Sequence, residues 1–248
     1  MTPQLLADPQ AFPPAPPADL DNSRTITEHD WKAFTSIDWL DDHWSRPGWP
    51  IGRRAYYWML TFPDAPALLN QTRHCQMELA HLGMDPVPGD GLHVTMPRIG
   101  DTANVTKDQV QHLAELSEHL PLEQFRLLAH PLAGSRGAVR FSLSPWTPLV
   151  RLHAALHALG RRAGVPGGGA TTAFRPHLGI QYNNRRRPAS PVIDSVARLR
   201  ALAPVDLEIT SVDLVELRQT TGTPRAYCWT VVRTVPLRPS SRREQRTR

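Results

Sequence analysis

The sequence predicts an α+β fold of two lobes, and three observations carry that expectation. The expected elements run strand, helix, strand, helix, strand, strand, then helix, strand, helix, strand, strand. That is one strand–helix–strand unit used twice, with antiparallel additions. Two short histidine-bearing strands, around His93-Val94-Thr95 and His177-Leu178-Gly179, fall at similar places in the two halves. A chain of 248 residues, 40% hydrophobic and 21% charged, is long enough for a real core.

The elements follow from local pattern. Residues 1–20 are rich in Pro and Ala and are expected to be disordered. A lead containing Trp31, Trp39, Trp44 and Trp49 follows, with packing over a lobe edge as the expected role of its tryptophans. RAYYWMLTF is aromatic and β-branched enough for a strand, stopped by Pro63. Leu68, Leu69, Leu79 and Leu82 are the apolar positions of a helix over 65–83, closed by Gly83. GLHVTMPRI is a short strand, and a helix over about 106–119 comes after it. QFRLLAHPLAGSRGAVRFSLSP has the form of a hairpin with Gly134 and Gly137 in its turn. A helix over about 147–163 leads through GVPGGGATT to the strand FRPHLGIQYNN. A helix of about 190–202 precedes two longer strands, DLEITSVDLVELRQ and AYCWTVVRTVPL. The folded unit is thus expected over 21–238, with 239–248 a basic, disordered tail.

Composition narrows the function classes. No stretch approaches the roughly 20 apolar residues of a membrane helix. The N-terminus lacks the basic start and apolar run of a signal peptide, so the chain is read as cytoplasmic. Cys75 and Cys228 fit no metal-ligand spacing and are expected as reduced thiols. The net charge is +5, with Arg185, Arg186 and Arg187 and the tail arginines carrying much of it, which suits an anionic partner such as RNA or a nucleotide. No obligate partner is indicated, and a monomer is expected.

His93 and His177 are the residues singled out for chemistry. In a strand, residues i and i+2 share a face. His93 and Thr95 would therefore point one way, and Leu92, Val94 and Met96 into the core. His177 would likewise project with Gly179, while Leu178 and Ile180 are buried. His43-Trp44-Ser45 and His81-Leu82-Gly83 match the same three-letter patterns, but His43 sits in a Trp/Pro-rich loop and His81 near a helix end. His153 and His157 stand four apart on a helix without the glutamate of a zinc-protease pattern, and are read as helix residues and not as metal ligands. No metal or other cofactor is expected.

The two motifs, their separation and their flanks (DHWSRPGWPIGRRAYYWMLTF, PVPGDGLHVTMPRIG, FRPHLGIQYNN and YCWTVVRTVPL) resemble the 2H phosphoesterase superfamily, over about residues 38–238. Within it the chain is similar to bacterial proteins of the 2′-5′ RNA ligase family, also described as RNA 2′,3′-cyclic phosphodiesterases. The resemblance implies two lobes facing a central cleft, each contributing one His-x-Ser/Thr motif. His93, Thr95 and His177 match; position 179 departs, with Gly179 in place of a hydroxyl residue. The implied activity is metal-independent hydrolysis of a cyclic phosphate on an RNA end or nucleotide. Loss of the hydroxyl leaves a binding module as an alternative, and the family label leaves 2′-5′ ligation as another. Arg98 and Tyr182, each five residues after a motif histidine, are candidate substrate contacts, for phosphate and base respectively. Most of Tyr56, Tyr57 and Trp58 are expected in the core, with room for one to reach the cleft.

Overall fold

The structure, a computed structural model, describes residues 2–45 and 52–239. In chain order these form α1 (Ser23–Thr35), β1 (Trp39–Leu40), β2 (Arg54–Thr61), α2 (Pro66–Glu78), β3 (Asp85–Pro86), β4 (His93–Asp101) and α3 (Lys107–Ser117). There follow β5 (Phe125–Ser135), β6 (Ala138–Ser144), α4 (Thr147–Arg162), β7 (Leu178–Tyr182), β8 (Arg187–Pro188), α5 (Ser190–Ala197), β9 (Val205–Ile209), β10 (Ser211–Gln219) and β11 (Tyr227–Pro236).

Two antiparallel sheets make the lobes. One has the order β11-β10-β2-β4, the other β3-β7-β6-β5-β9. Each holds a strand–helix–strand unit, β2-α2-β4 in the first and β6-α4-β7 in the second, so the expected duplication is present. The core joins the lobes: Val94 and Met96 of β4 lie in one cluster with Leu178 and Ile180 of β7. Helix starts carry the expected chemistry. Asn22 accepts from the Thr25 backbone at 2.9 Å, Thr106 and Gln109 form a capping box, and α2 opens on a proline. After α2, one 3₁₀ turn over Ala80–Leu82 ends at Gly83, whose φ of +57° is the left-handed conformation glycine adopts without strain.

Four expectations are corrected. The hairpin turn is Arg136-Gly137 alone; Gly134 lies inside β5, where the Phe34 ring of α1 occupies the space of a side chain. The run DLEITSVDLVELRQ is two strands in different sheets. Residues 205–209 alternate buried and exposed, as an edge strand does. The stretch after Thr210 is largely buried between β2 and β11. Helix α5 stops at Ala197, short of 202.

The fourth correction concerns residues 1–20, of which 2–20 are described, and they are ordered. Leu5 packs with Ile26, Trp146 and Val150, and the Leu6 backbone donates to Thr172 O at 2.9 Å. The reason is a single buried cation. The Arg175 guanidinium donates to Leu6 O at 2.7 Å, Pro13 O at 3.0 Å and Pro14 O at 3.0 Å. Prolines have carbonyls but no N–H, so a fork of donors satisfies them without a strand partner. The arginine tail lies outside the described residues, as does Trp49.

Candidate active site

His93 opens β4 and His177 stands one residue before β7, so each sheet brings one histidine to the gap between the lobes. Both line a cavity of about 130 Å³, together with His43, Tyr57, Thr95, Gly179, Tyr182 and Tyr227. Of the predicted site residues, His93, Thr95, His177, Gly179 and Tyr182 therefore meet there.

The two imidazoles are oriented by the same device. His93 Nδ1 lies 2.8 Å from Gly91 O, and His177 Nδ1 lies 2.9 Å from Arg175 O, in each case the carbonyl two residues upstream. A carbonyl only accepts, so Nδ1 carries the proton and Nε2 is the acceptor of the neutral ring. His93 is 9% exposed and edge-on to the rings of Trp229 and Tyr227, at 5.3 and 6.2 Å between centroids. Burial lowers its pKa, partly offset by the bond to Gly91 O, so it is neutral at pH 7. His177 is exposed. Thr95 is half-buried beside them.

Gly179 and Tyr182 share the cavity although they are three apart, which in a regular strand gives opposite faces. The β6–β7 register shifts between Val139 and Arg140, pairing Gly179 with Arg140 and Tyr182 with Ala138, and this bulge turns Tyr182 inward. Arg98 is the predicted residue that does not arrive. Its Nη2 lies 2.8 Å from the carboxylate of Asp101, which also binds Arg53, and it lines a separate pocket of about 200 Å³ beside α4. A carboxylate three residues on captures it.

His43 and Tyr227 were not found by sequence reasoning. His43 stacks on Tyr182 with centroids 4.1 Å apart, and its Nε2 lies 3.0 Å from Tyr227 Oη. Trp44 completes the aromatic wall, its indole N–H donating to Asp85 Oδ2 at 2.8 Å. His43-Trp44-Ser45 carries the three-letter pattern, but a loop position has no periodicity to set it apart from chance. Tyr57 is the member of the Tyr56–Trp58 run that reaches the cavity. Burial raises its pKa, so it remains a phenol and a hydrogen-bond donor.

With this geometry, comparison with known proteins is decisive at the level of family. The chain belongs to the 2′-5′ RNA ligase superfamily, whose model matches residues 63–221. His43 and Tyr227 flank that stretch on either side. Among curated proteins none matches the sequence. Solved structures match by fold. E. coli LigT in apo form gives a TM-score of 0.56 at 16% identity, over 75% of this chain and 98% of that one. TT0787 of Thermus thermophilus gives 0.54 at 16%, over 75% and 99%. A protein described as a phosphoesterase gives 0.54 at 17%, over 75% and 99%. LigT complexes with ATP, NADP+, 3′-AMP and phosphate match at TM-scores of 0.53 to 0.55 and 15 to 17% identity. Among the described residues no helix is long and apolar enough to cross a membrane, and no group of three or more His, Cys, Asp or Glu could hold a metal ion.

Proposed function

We propose that the chain is a phosphodiesterase that opens a 2′,3′-cyclic phosphate on an RNA end or nucleotide, with His93 and His177 as the acid–base pair. The observation that carries this is the pair of imidazoles from opposite sheets, each fixed through Nδ1 to a carbonyl two residues upstream, beside one small cavity. The nucleotide and phosphate complexes of LigT, a protein of the same fold, support a phosphate ligand. One neutral imidazole takes a proton from water at Nε2, and the oxygen of that water bonds to phosphorus. The bond from phosphorus to one ribose oxygen breaks, and the second imidazole, in its protonated form, gives that oxygen a proton. Thr95 and Tyr57 supply hydroxyl donors for the charge that builds on the phosphate. His93, neutral at pH 7, can start as the base.

The test is hydrolysis of a short RNA with a cyclic phosphate end, with EDTA present, by wild type, His93→Ala and His177→Ala. Wild-type turnover lost by at least about a hundredfold in both variants is the expected result. Gly179, which leaves the second motif without its hydroxyl, favours a second reading as a nucleotide-binding module. Folded wild type that binds the RNA and never opens the ring would establish that reading, and joined strands on a gel would establish ligation.

A further inference from the structure

Phe174 to His177 join the 3₁₀ turn over Thr171–Ala173 to β7 without regular structure of their own. Pro176 has no N–H and so cannot donate a backbone bond there. The Arg175 carbonyl is nevertheless the group that holds His177 Nδ1, at 2.9 Å. A neutral imidazole can carry its proton on either nitrogen, and the acceptor beside one of them decides which keeps it. Whatever fixes the Arg175 backbone therefore fixes the orientation and the tautomer of His177.

The Arg175 side chain does this, through the N-terminal segment. It is buried, and its guanidinium donates to Leu6 O, Pro13 O and Pro14 O at 2.7, 3.0 and 3.0 Å, and to Phe174 O at 3.1 Å. Burial disfavours the cation, and the charge of Asp8 favours it. Phe174 packs against the cluster of Leu5, Ile26, Trp146 and Val150, so the residue ahead of Arg175 meets the same segment. Between the clamped points the segment makes a loop, closed by the bond from Asp8 N to Pro14 O at 2.8 Å. Pro9 to Phe12 in that loop line one large cavity together with His177 and Thr95. The family model begins at residue 63, so the segment lies outside the stretch it matches. His93 is held separately: its acceptor, Gly91 O, belongs to the 3₁₀ turn Gly89–Gly91 ahead of β4.

We infer that Arg175 is a positioning residue that makes the N-terminal segment part of the active site: its guanidinium grips the segment, and its carbonyl sets the orientation and tautomer of His177. The inference rests on the phosphodiesterase reading only for the effect on turnover. The coupling between segment and imidazole is measurable without a substrate.

The experiment uses the full chain as wild type, Arg175→Met, Arg175→Lys and Leu5→Asp. The last puts a charge against Trp146 and Val150 and unseats the segment without touching residue 175. Limited proteolysis reports release of the segment. Nitrogen-15 NMR reports which ring nitrogen carries the proton, with His93→Ala and His177→Ala assigning the signals. In wild type both neutral rings should carry it on Nδ1. In Arg175→Met and Leu5→Asp the segment should be released and His177 should become a mixture of tautomers, while His93 keeps its proton on Nδ1. Arg175→Lys, which retains donors, should stay nearer to wild type. On a nucleoside 2′,3′-cyclic phosphate, kcat should fall by about tenfold or more in Arg175→Met, with a smaller change in KM, because a misplaced catalytic group costs rate. The coupling is overturned by an unchanged His177 signal in a variant whose segment is released, by a segment that stays in place in Arg175→Met, or by an equal change at His93. A wild-type kcat in Arg175→Met would overturn the positioning role. If wild type hydrolyses nothing, the phosphodiesterase reading falls and the NMR alone decides the coupling.

Discussion

A Cβ placed on Gly179 would lie 3.5 Å from Cε1 and 3.7 Å from Oη of Tyr182, so the tyrosine ring fills the space beside the bare backbone. In the first half, Thr95 supplies a hydroxyl two residues after its histidine. In the second half, that place is a glycine with a phenol against it. The expected consequence is that Tyr182→Phe lowers kcat on a cyclic phosphate by about tenfold or more, since a single donor to a developing oxyanion is often worth more than that. Gly179→Ser should recover part of the loss in the Tyr182→Phe background, because the added Cβ meets only ordinary contacts. Full activity of Tyr182→Phe would show that the phenol is packing alone.

Arg175 ties the N-terminal segment to the body through the carbonyls of Leu6, Pro13 and Pro14. Arg175→Met keeps much of the apolar stem and removes the fork. The segment before Asn22 should then become cleavable under limited proteolysis, while the fragment beginning near α1 stays resistant. Mass mapping of the first cuts checks this, and identical cleavage of wild type and variant would show that the apolar contacts of Leu5 suffice.

Gly134 is held by sterics and not by a turn, since a Cβ there would come within 2.3 to 2.6 Å of the Phe34 ring. Gly134→Ala is expected to destabilise the protein by about 1–3 kcal/mol through overpacking. Phe34→Leu should recover part of that in the double variant, although it loses stability alone. Urea unfolding of the four proteins in this cycle measures the coupling; simple additivity would mean α1 moves aside without strain.

Acid should weaken the fold through buried histidines. Burial, with His157 adding to it, pulls the His153 imidazole down to about 3, and His93 and His130 are lowered by burial as well. The unfolded chain binds these protons below about 6.5 while the native protein does not. Stability is therefore complete above that pH; the contribution of His153 is lost as pH falls toward 3, at up to about 1.4 kcal/mol per pH unit, and His93 and His130 add losses of the same sign below about 6.5. Urea midpoints at pH 7, 6 and 5 should show the fall, and His153→Gln, which retains a donor for Thr171, should make it shallower by about one proton. An unchanged slope would mean His153 does not titrate differently on unfolding.

The sequence by itself determined most of the helices and strands from β2 onward and singled out the pair of histidines, while α1 and the break between β9 and β10 were not among its expected elements. Alternation in β4 and β7 puts Leu92, Val94, Leu178 and Ile180 in the core and leaves His93 and His177 for the gap, because strand periodicity is a local property of the backbone. Tertiary structure decided the rest. His43 reaches Tyr182 because its backbone N–H bonds Asn183 O just after β7, and Tyr227 joins them only because β10 and β11 return from the end of the chain to pair beside β2; no local pattern records such contacts. Arg98 left the site because Asp101 and the backbone around Gly167 were nearer. The N-terminal segment, too polar and Pro-rich to bury much surface of its own, became ordered because a guanidinium far along the chain supplied donors to its carbonyls. Side-chain chemistry and period are written residue by residue, whereas which distant groups satisfy one another is fixed only when the sheets close.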